Sequence, residues 1–121
     1  MTATRADIIK DALRALRRLG AGREPDAEDE DIVGTKLDRI YARLRARGLT
    51  NDGSGVWALT AVPDEFAEEL VILTAAANAD TFHVPEERLV RLRLEEVEAR
   101  NEITRLAGRD RQDTPAVAEQ Y

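Results

Sequence analysis

Hydrophobic residues are most concentrated between Phe66 and Asp80, where no charged residue occurs after Glu69 until Asp80 is reached. Apolar residues recur there at steps of three and four, which places side chains on one helix face, and others fill much of the remaining circumference. A helix that is apolar nearly all round is normally buried on several sides. The stretch is too short to span a bilayer, which needs about 20 apolar residues. The pattern therefore predicts a central helix with amphipathic helices packed around it.

The N-terminal amphipathic segment predicts a first helix from Arg5 to Leu19. Thr4 is placed to act as its N-cap, and Asp7 is placed to form the reciprocal hydrogen bond of a capping box. Gly20 follows the last turn, where a residue in the left-handed conformation commonly ends a helix.

Two longer amphipathic segments predict a second helix from about Asp29 to Arg47 and a last helix from Pro85 or Glu86 to Ala107. Gly48 and Gly108 follow these segments and are predicted to end the helices. The expected apolar face of the last helix consists of Leu89, Leu92, Val97, Ile103 and Leu106, with Val90 and Leu94 flanking it. Charges of both signs alternate on its outer face, which is typical of a solvated surface.

Residues 48–63 form a long irregular segment between the second helix and the central helix. Turn-forming residues run from Asn51 to Gly55, and an ordered loop of this length is uncommon in a small domain and often functional. The single tryptophan of the chain, Trp57, lies in this loop. It either covers the core of its own subunit or anchors a neighbouring subunit, because aromatic residues are enriched in interfaces. A subunit contact through Trp57 is the hypothesis carried forward.

The C-terminal residues 108–121 show no helical stripe, and Pro115 disfavours a helix through them. Val117 and Tyr121 are spaced apolar side chains that could anchor an extended segment on another chain. The sequence therefore predicts an all-α fold in which residues 1–107 form a four-helix domain. Residues 108–121 are predicted to form an extended docking tail.

The composition narrows the classes of function. A chain of 121 residues suits one domain. Its formal net charge of -6 argues against a broad grip on nucleic acid, which needs clustered Lys and Arg. The chain contains no cysteine, so it has neither disulfides nor thiolate chemistry. The first residues lack the apolar core of a signal peptide.

Residue types that support catalysis or metal binding are sparse. The acidic run from Asp26 to Asp31 is read as a solvated first helical turn, since it lacks the glycine and the twelfth-position glutamate of a calcium loop. His83 is the only histidine, and no obvious base accompanies it. Phosphate-loop, zinc-protease and nucleophile-elbow motifs are all missing. We therefore expect no enzymatic activity, no cofactor and no metal.

Three stretches in order carry a resemblance to a known family. They are R-A-D-I-I-K-D-A-L-R-A-L-R-R-L-G, then I-V-G-T-K-L-D-R-I-Y-A-R-L-R-A-R-G-L before the long loop, then V-P-D-E-F-A-E-E-L-V-I-L-T-A-A-A-N-A-D-T-F-H-V before a charged last helix. In this order and spacing the chain resembles the head–tail adaptor proteins, also called connector or head-completion proteins, of tailed bacteriophages and phage-derived gene transfer agents. The resemblance covers about residues 5–107.

The resemblance implies a subunit of a homo-oligomeric ring, typically twelvefold, beneath the portal protein. Such a ring extends the DNA channel without binding DNA specifically, and it meets a tail-side connector or stopper protein. By resemblance the C-terminal segment docks on the portal, here through Arg109, Arg111, Pro115, Val117 and Tyr121. The implied location is the host cytoplasm during assembly and then the neck of the virion or gene-transfer-agent particle, with no membrane involved.

The alternative is a small helical interaction module of another system, such as a regulatory or antitoxin-like protein. The two readings differ in oligomeric state. A ring subunit forms a large closed oligomer alone or with the portal, whereas a regulator remains a monomer or dimer.

Overall fold

The structure, a computed structural model, describes residues 2–16 and 26–112. Four helices dominate this part of the chain: α1 (Arg5–Ala15), α2 (Ala27–Ala46), α3 (Asp64–Asn78) and α4 (Glu86–Gln112). Strands β1 (Thr2–Ala3) and β2 (Val62–Pro63) form a minimal antiparallel sheet that ties the N-terminus to the residues before α3. The predicted all-α class, with four helices and a long loop between the second and third, is confirmed.

Helix α3 is the centre of the fold, as its apolar sequence predicts. It contacts α1, α2 and α4. Phe66 and Leu70 are fully buried, and the small side chains of Ala75 and Ala76 let neighbouring helices approach closely. Burying a large apolar side chain contributes roughly 1.5–3 kcal/mol before the cost of ordering, so this helix supplies a large share of the core.

Two polar side chains are also fully buried in α3. The Thr74 hydroxyl donates to the carbonyl of Leu70 at 2.7 Å, and the Asn78 amide donates to the carbonyl of Thr74 at 2.8 Å. Both hydrogen bonds stay within the helix and satisfy the Thr74 hydroxyl and the Asn78 amide nitrogen without partners on other elements. The buried amide oxygen of Asn78 has no hydrogen-bond partner among the described residues.

Helix α1 begins as predicted and ends earlier than predicted. The backbone N–H of Asp7 donates to Thr4 Oγ1 at 3.2 Å, and the N–H of Thr4 donates to Asp7 Oδ2 at 3.0 Å, which completes the capping box. The helix ends at Ala15, whose carbonyl accepts two hydrogen bonds from the Arg88 guanidinium at 3.2 and 3.0 Å. The predicted end at Leu19 and the cap at Gly20 lie outside the described residues.

The Arg5 side chain of α1 lies across Gly34 of α2. A Cβ atom at this position would lie 2.6 Å from the Arg5 guanidinium, which crosses over the glycine to form a forked ion pair with Asp38 at 2.9 and 3.1 Å. The helix spans Ala27–Ala46, close to the predicted Asp29–Arg47. Its central glycine therefore leaves room for the Arg5 side chain.

The connection between α3 and α4 turns at His83. This residue has φ of 52°, a conformation in which histidine is enriched among non-glycine residues. Its side chain is exposed, while the preceding Phe82 is buried in the core. His83 is thus a surface residue in a turn.

Helix α4 continues past the predicted stop at Gly108 and ends at Gln112. A glycine inside a helix costs about 1 kcal/mol relative to alanine but does not end it unless it adopts the left-handed conformation. The described glycines with positive φ are Gly48, Gly53 and Gly55, and Gly108 is not among them. The predicted end of the last helix at Ala107 is therefore too early, and the division into a domain of residues 1–107 and a docking tail of residues 108–121 stays a prediction.

Candidate interaction surfaces

Helix α4 presents two opposite apolar faces. The buried face follows Leu92, Ala99, Ile103 and Leu106, at helical steps of seven, four and three. Val97 was predicted to belong to it and is instead 59% exposed. The partly buried Glu96 occupies the position that faces the core. Val97 follows it and is turned about 100° further around the helix, which places it on the exposed side.

Val97 joins two other exposed apolar residues on the outer side of α4. Val90 is 55% exposed and Leu94 is 64% exposed, and the three recur at steps of four and three. We call Val90, Leu94 and Val97 the α4 stripe. Single exposed apolar residues are ordinary, but three aligned on one helix face form a patch of the kind that marks interaction sites.

A groove lies between the C-terminal half of α2, the middle of α3 and the middle of α4. Its cavity has a volume of about 150 Å³. Apolar side chains line part of it: Ile40, Leu44, Leu49, Leu73 and Ala77. Polar side chains line the rest: Arg43, Arg47, Glu96, Arg100 and Thr104. We call this the α2–α4 groove.

The polar lining of the α2–α4 groove is predominantly basic. Its one carboxylate, Glu96, is held by Arg100 at 3.0 Å and by Arg93, outside the lining, at 3.4 Å. Arg43 and Arg47 lie one helical turn apart on α2 and are exposed. The groove therefore combines an apolar floor with three guanidinium groups and suits an apolar ligand that carries acidic groups.

The sequence carries a signal for one part of this groove, because Arg43 and Arg47 belong to the basic C-terminal half of the second helical segment. The lining from α3 and α4 could not be inferred, because it depends on how three helices meet. For the α4 stripe a signal did exist, since Val90 and Leu94 exceed what one buried face requires.

A separate acidic surface lies where α3 faces α4. Partial burial is the main cause that raises the pKa of Glu69 above its ordinary value, and the nearby carboxylates of Glu68 and Glu102 raise it further. Glu102 also forms a forked ion pair with Arg105 on the same helix. This surface repels anionic partners, in contrast to the α2–α4 groove.

Trp57 lies in the core of its own subunit. Its side chain is 5% exposed, and its rings lie 5.6 Å from the Tyr41 ring and 5.2 Å from the Phe66 ring, measured between centroids. The Tyr41 hydroxyl donates to the Trp57 carbonyl at 2.7 Å. The packing agrees with the reading in which Trp57 covers its own core. A contact between its loop and a neighbouring subunit stays a prediction, for which the exposed Val56 offers the accessible side chain.

The other predicted site residues belong to the C-terminal segment. Arg109 and Arg111 lie in the last turns of α4 rather than in an extended tail. Pro115, Val117 and Tyr121 lie outside the described residues. Docking on a portal through these five residues stays a prediction.

Residues 2–16 and 26–112 contain neither a cluster of metal-binding side chains nor a membrane-spanning helix. No group of three or more His, Asp or Glu side chains is placed there to hold a metal ion. The acidic run at Asp26–Asp31 forms the N-cap and first turn of α2, where negative charge favours the helix dipole. In the same ranges, no helix combines the length and apolar character needed to cross a membrane.

Comparison with protein-family models, with curated proteins and with solved structures found no match.

Proposed function

We propose that this chain is a head–tail adaptor subunit that assembles into a ring beneath a portal protein, extends the DNA channel and joins a capsid to a tail. The family assignment comes from the order and spacing of its helices, which resemble those of adaptor proteins. The observation that supports an assembly role is the α4 stripe, an apolar patch on the side of the longest helix that faces away from the core.

An exposed stripe of this kind favours an assembly protein over an enzyme. Val90, Leu94 and Val97 each expose more than half of their surface, and covering each contributes up to roughly 1.5–3 kcal/mol. A neighbouring subunit or a portal can supply that cover. A net charge of -6 also suits a channel through which DNA slides, since a strongly basic lining would retain it.

The ring of typically twelve copies, the tail-side connector or stopper partner and the particle neck as location are part of the same proposal. They rest on the resemblance alone. A ring requires a heterologous contact, in which the stripe of one copy meets a different surface of the next copy.

The charge pattern beside the α4 stripe suits the alternative, a regulatory or antitoxin-like module that forms a dimer. If two α4 helices lie side by side and parallel with their stripes in contact, Glu86 faces Arg91 of a second copy, which is a pair of opposite charge. A contact between the same face on both copies closes as a twofold dimer and does not extend to a ring.

Size measurement on the purified full chain separates the two functions, with Leu94→Asp as the stripe variant and Ala42→Asp, on the exposed side of α2, as the control. Multi-angle light scattering is run on each protein alone and with the portal protein of the same particle. The adaptor proposal expects a large closed oligomer in one of these conditions, lost in Leu94→Asp and kept in Ala42→Asp. A dimer that ignores portal supports the alternative. A monomer in both conditions contradicts the adaptor ring and the stripe dimer, and it agrees with a regulatory module that acts as a monomer.

A further inference from the structure

We propose that the α2–α4 groove binds residues 113–121 of the same chain, which therefore dock back onto their own subunit. This goes beyond the adaptor function, because it assigns an occupant to a surface whatever larger assembly the chain joins. Three features support this proposal. They are the side chains that line the groove, the composition of residues 113–121, and the distance from the end of α4 to the groove.

Charge complementarity identifies the occupant. The groove offers the guanidinium groups of Arg43 and Arg47, while Arg100 is paired with its one carboxylate, Glu96. The segment D-T-P-A-V-A-E-Q-Y contains two acidic residues, Asp113 and Glu119, and no basic residue. Guanidinium–carboxylate pairs form charge-assisted hydrogen bonds of the stronger kind.

The apolar side chains of the segment match the apolar part of the groove. In an extended chain, alternate residues point the same way, so Pro115, Val117 and Tyr121 share one face with Glu119. The groove has a volume of about 150 Å³, which is roughly the space that one aromatic ring needs. The ring of Tyr121 is the one aromatic group of the segment and fits this space.

The segment is long enough to reach the groove of its own subunit. Thr104, on the groove, precedes the helix end at Gln112 by eight residues, which is about 12 Å along the helix axis. Glu96, at the far end of the lining, is about 24 Å away on the same scale. Nine extended residues span about 30 Å, so residues 113–121 can fold back over the whole groove.

Docking in the groove and docking on a portal would use the same side chains. Pro115, Val117 and Tyr121 cannot fill both places at once, so a subunit with a filled groove holds its segment away from a portal. The groove would then keep the segment in place until a partner competes for it.

The full chain tests this inference directly, because it contains no cysteine and accepts a single label. A nitroxide is attached to Ala118→Cys, which lies on the face of the extended segment opposite its anchors. We expect the methyl signals of Leu44, Leu49 and Leu73 to lose most of their intensity. Unchanged groove methyls would overturn the proposal.

Two charge-reversed variants of the labelled chain supply the matched control. Arg43→Glu with Arg47→Glu changes the groove, while Arg39→Glu with Arg45→Glu makes the same change on exposed positions of α2 that do not line it. Broadening should vanish in the first variant and persist in the second. Loss in both, or in neither, contradicts specific docking in the groove.

A mixed sample tests whether the segment binds its own subunit. Isotope-labelled chain without nitroxide is combined with nitroxide-labelled chain without isotope, and the same three methyl groups are observed. They should keep their intensity, because docking within one chain carries the nitroxide only to its own groove. Broadening in the mixture would overturn the proposal in favour of exchange between copies.

Discussion

At the scale of single residues, Trp57 shows how a loop residue becomes a core residue. The loop is irregular, yet the backbone N–H of Trp57 donates to the carbonyl of Thr50 at 2.8 Å, and the Tyr41 hydroxyl holds the Trp57 carbonyl. These contacts turn the indole inward onto Phe66. The glycines and polar residues before it form the turn that makes this possible.

We therefore expect Trp57→Ala to lower the free energy of unfolding by about 3–5 kcal/mol, because a large buried aromatic side chain leaves a cavity. Chemical denaturation measures this loss, and Val56→Ala, next to it and 59% exposed, is the control with little expected effect. If Trp57→Ala unfolds like the wild type but assembles poorly, the indole serves a neighbouring subunit instead.

Glu69 makes the stability of the fold depend on pH in a direction that can be predicted. Because its pKa is raised in the folded state, chiefly by burial and then by Glu68 and Glu102, the folded state disfavours the ionised carboxylate. The stability that the protonated carboxyl group contributes is fully present at pH values below the ordinary pKa of glutamate. It is lost as the pH rises through the raised pKa of the folded state. The group therefore destabilises the fold at neutral pH.

Glu69→Gln should raise the melting temperature at pH 7 and have little effect below about pH 4, where the wild-type side chain is protonated in both states. Thermal unfolding across this range measures the difference, with Glu98→Gln, an exposed change on α4, as the comparison. A gain from Glu69→Gln that is equal at both pH values would show that ionisation is not its cause.

At the scale of secondary structure, local signals predicted where helices occur better than where they end. The capping box of Thr4 and Asp7 depends only on neighbouring residues, and it was correctly predicted. The end of α1 at Ala15 involves Arg88, far along the chain, and no local pattern contains that contact. Gly108 resembles a helix stop in sequence, but α4 continues through it without the left-handed turn that would end it.

The contrast between α3 and α4 makes a matched test at this scale. Leu70→Asp places a carboxylate in the fully buried centre of α3, where no partner can replace its water. We expect this variant to unfold, as judged by circular dichroism and loss of a cooperative melt. Leu94→Asp makes the same substitution on the α4 stripe, at a side chain 64% exposed, and should keep native helicity.

If Leu70→Asp retains native helicity and melting, α3 is not the core helix described above. If Leu94→Asp unfolds the chain, the stripe supports the subunit fold and is not available to a partner. The two outcomes are independent, because one concerns the buried centre and the other the outer face of a different helix.

At the scale of the whole molecule, the sequence predicts the core but not the surfaces. The central position of α3 follows from its composition, since few arrangements can bury a helix that is apolar nearly all round. The α2–α4 groove depends on three helices that meet at a particular angle and register. Val97 shows that a shift of one residue along the helix decides whether a side chain faces the core or the solvent. Glu96 faces inward, and the next residue, Val97, belongs to the exposed α4 stripe.

Charge exchange on α4 distinguishes a twofold dimer from a ring. In the parallel dimer, Glu86 of each copy faces Arg91 of the other, so Arg91→Glu should weaken association. Each such exposed pair is worth about 0.2–1 kcal/mol and occurs twice, which corresponds to a severalfold rise in Kd. Adding Glu86→Arg to Arg91→Glu restores opposite charges and should restore the wild-type Kd.

A ring gives a different result in the same experiment. Its heterologous contact brings the α4 stripe of one copy against another surface of the next copy, so Glu86 and Arg91 of adjacent copies do not face each other. In a ring, adding Glu86→Arg is therefore not expected to restore the association that Arg91→Glu weakens. Sedimentation equilibrium of the wild type, the single variant and the double variant measures both the stoichiometry and the change in Kd. Rescue at dimer stoichiometry contradicts the adaptor ring, whereas a large oligomer without rescue contradicts the regulatory module.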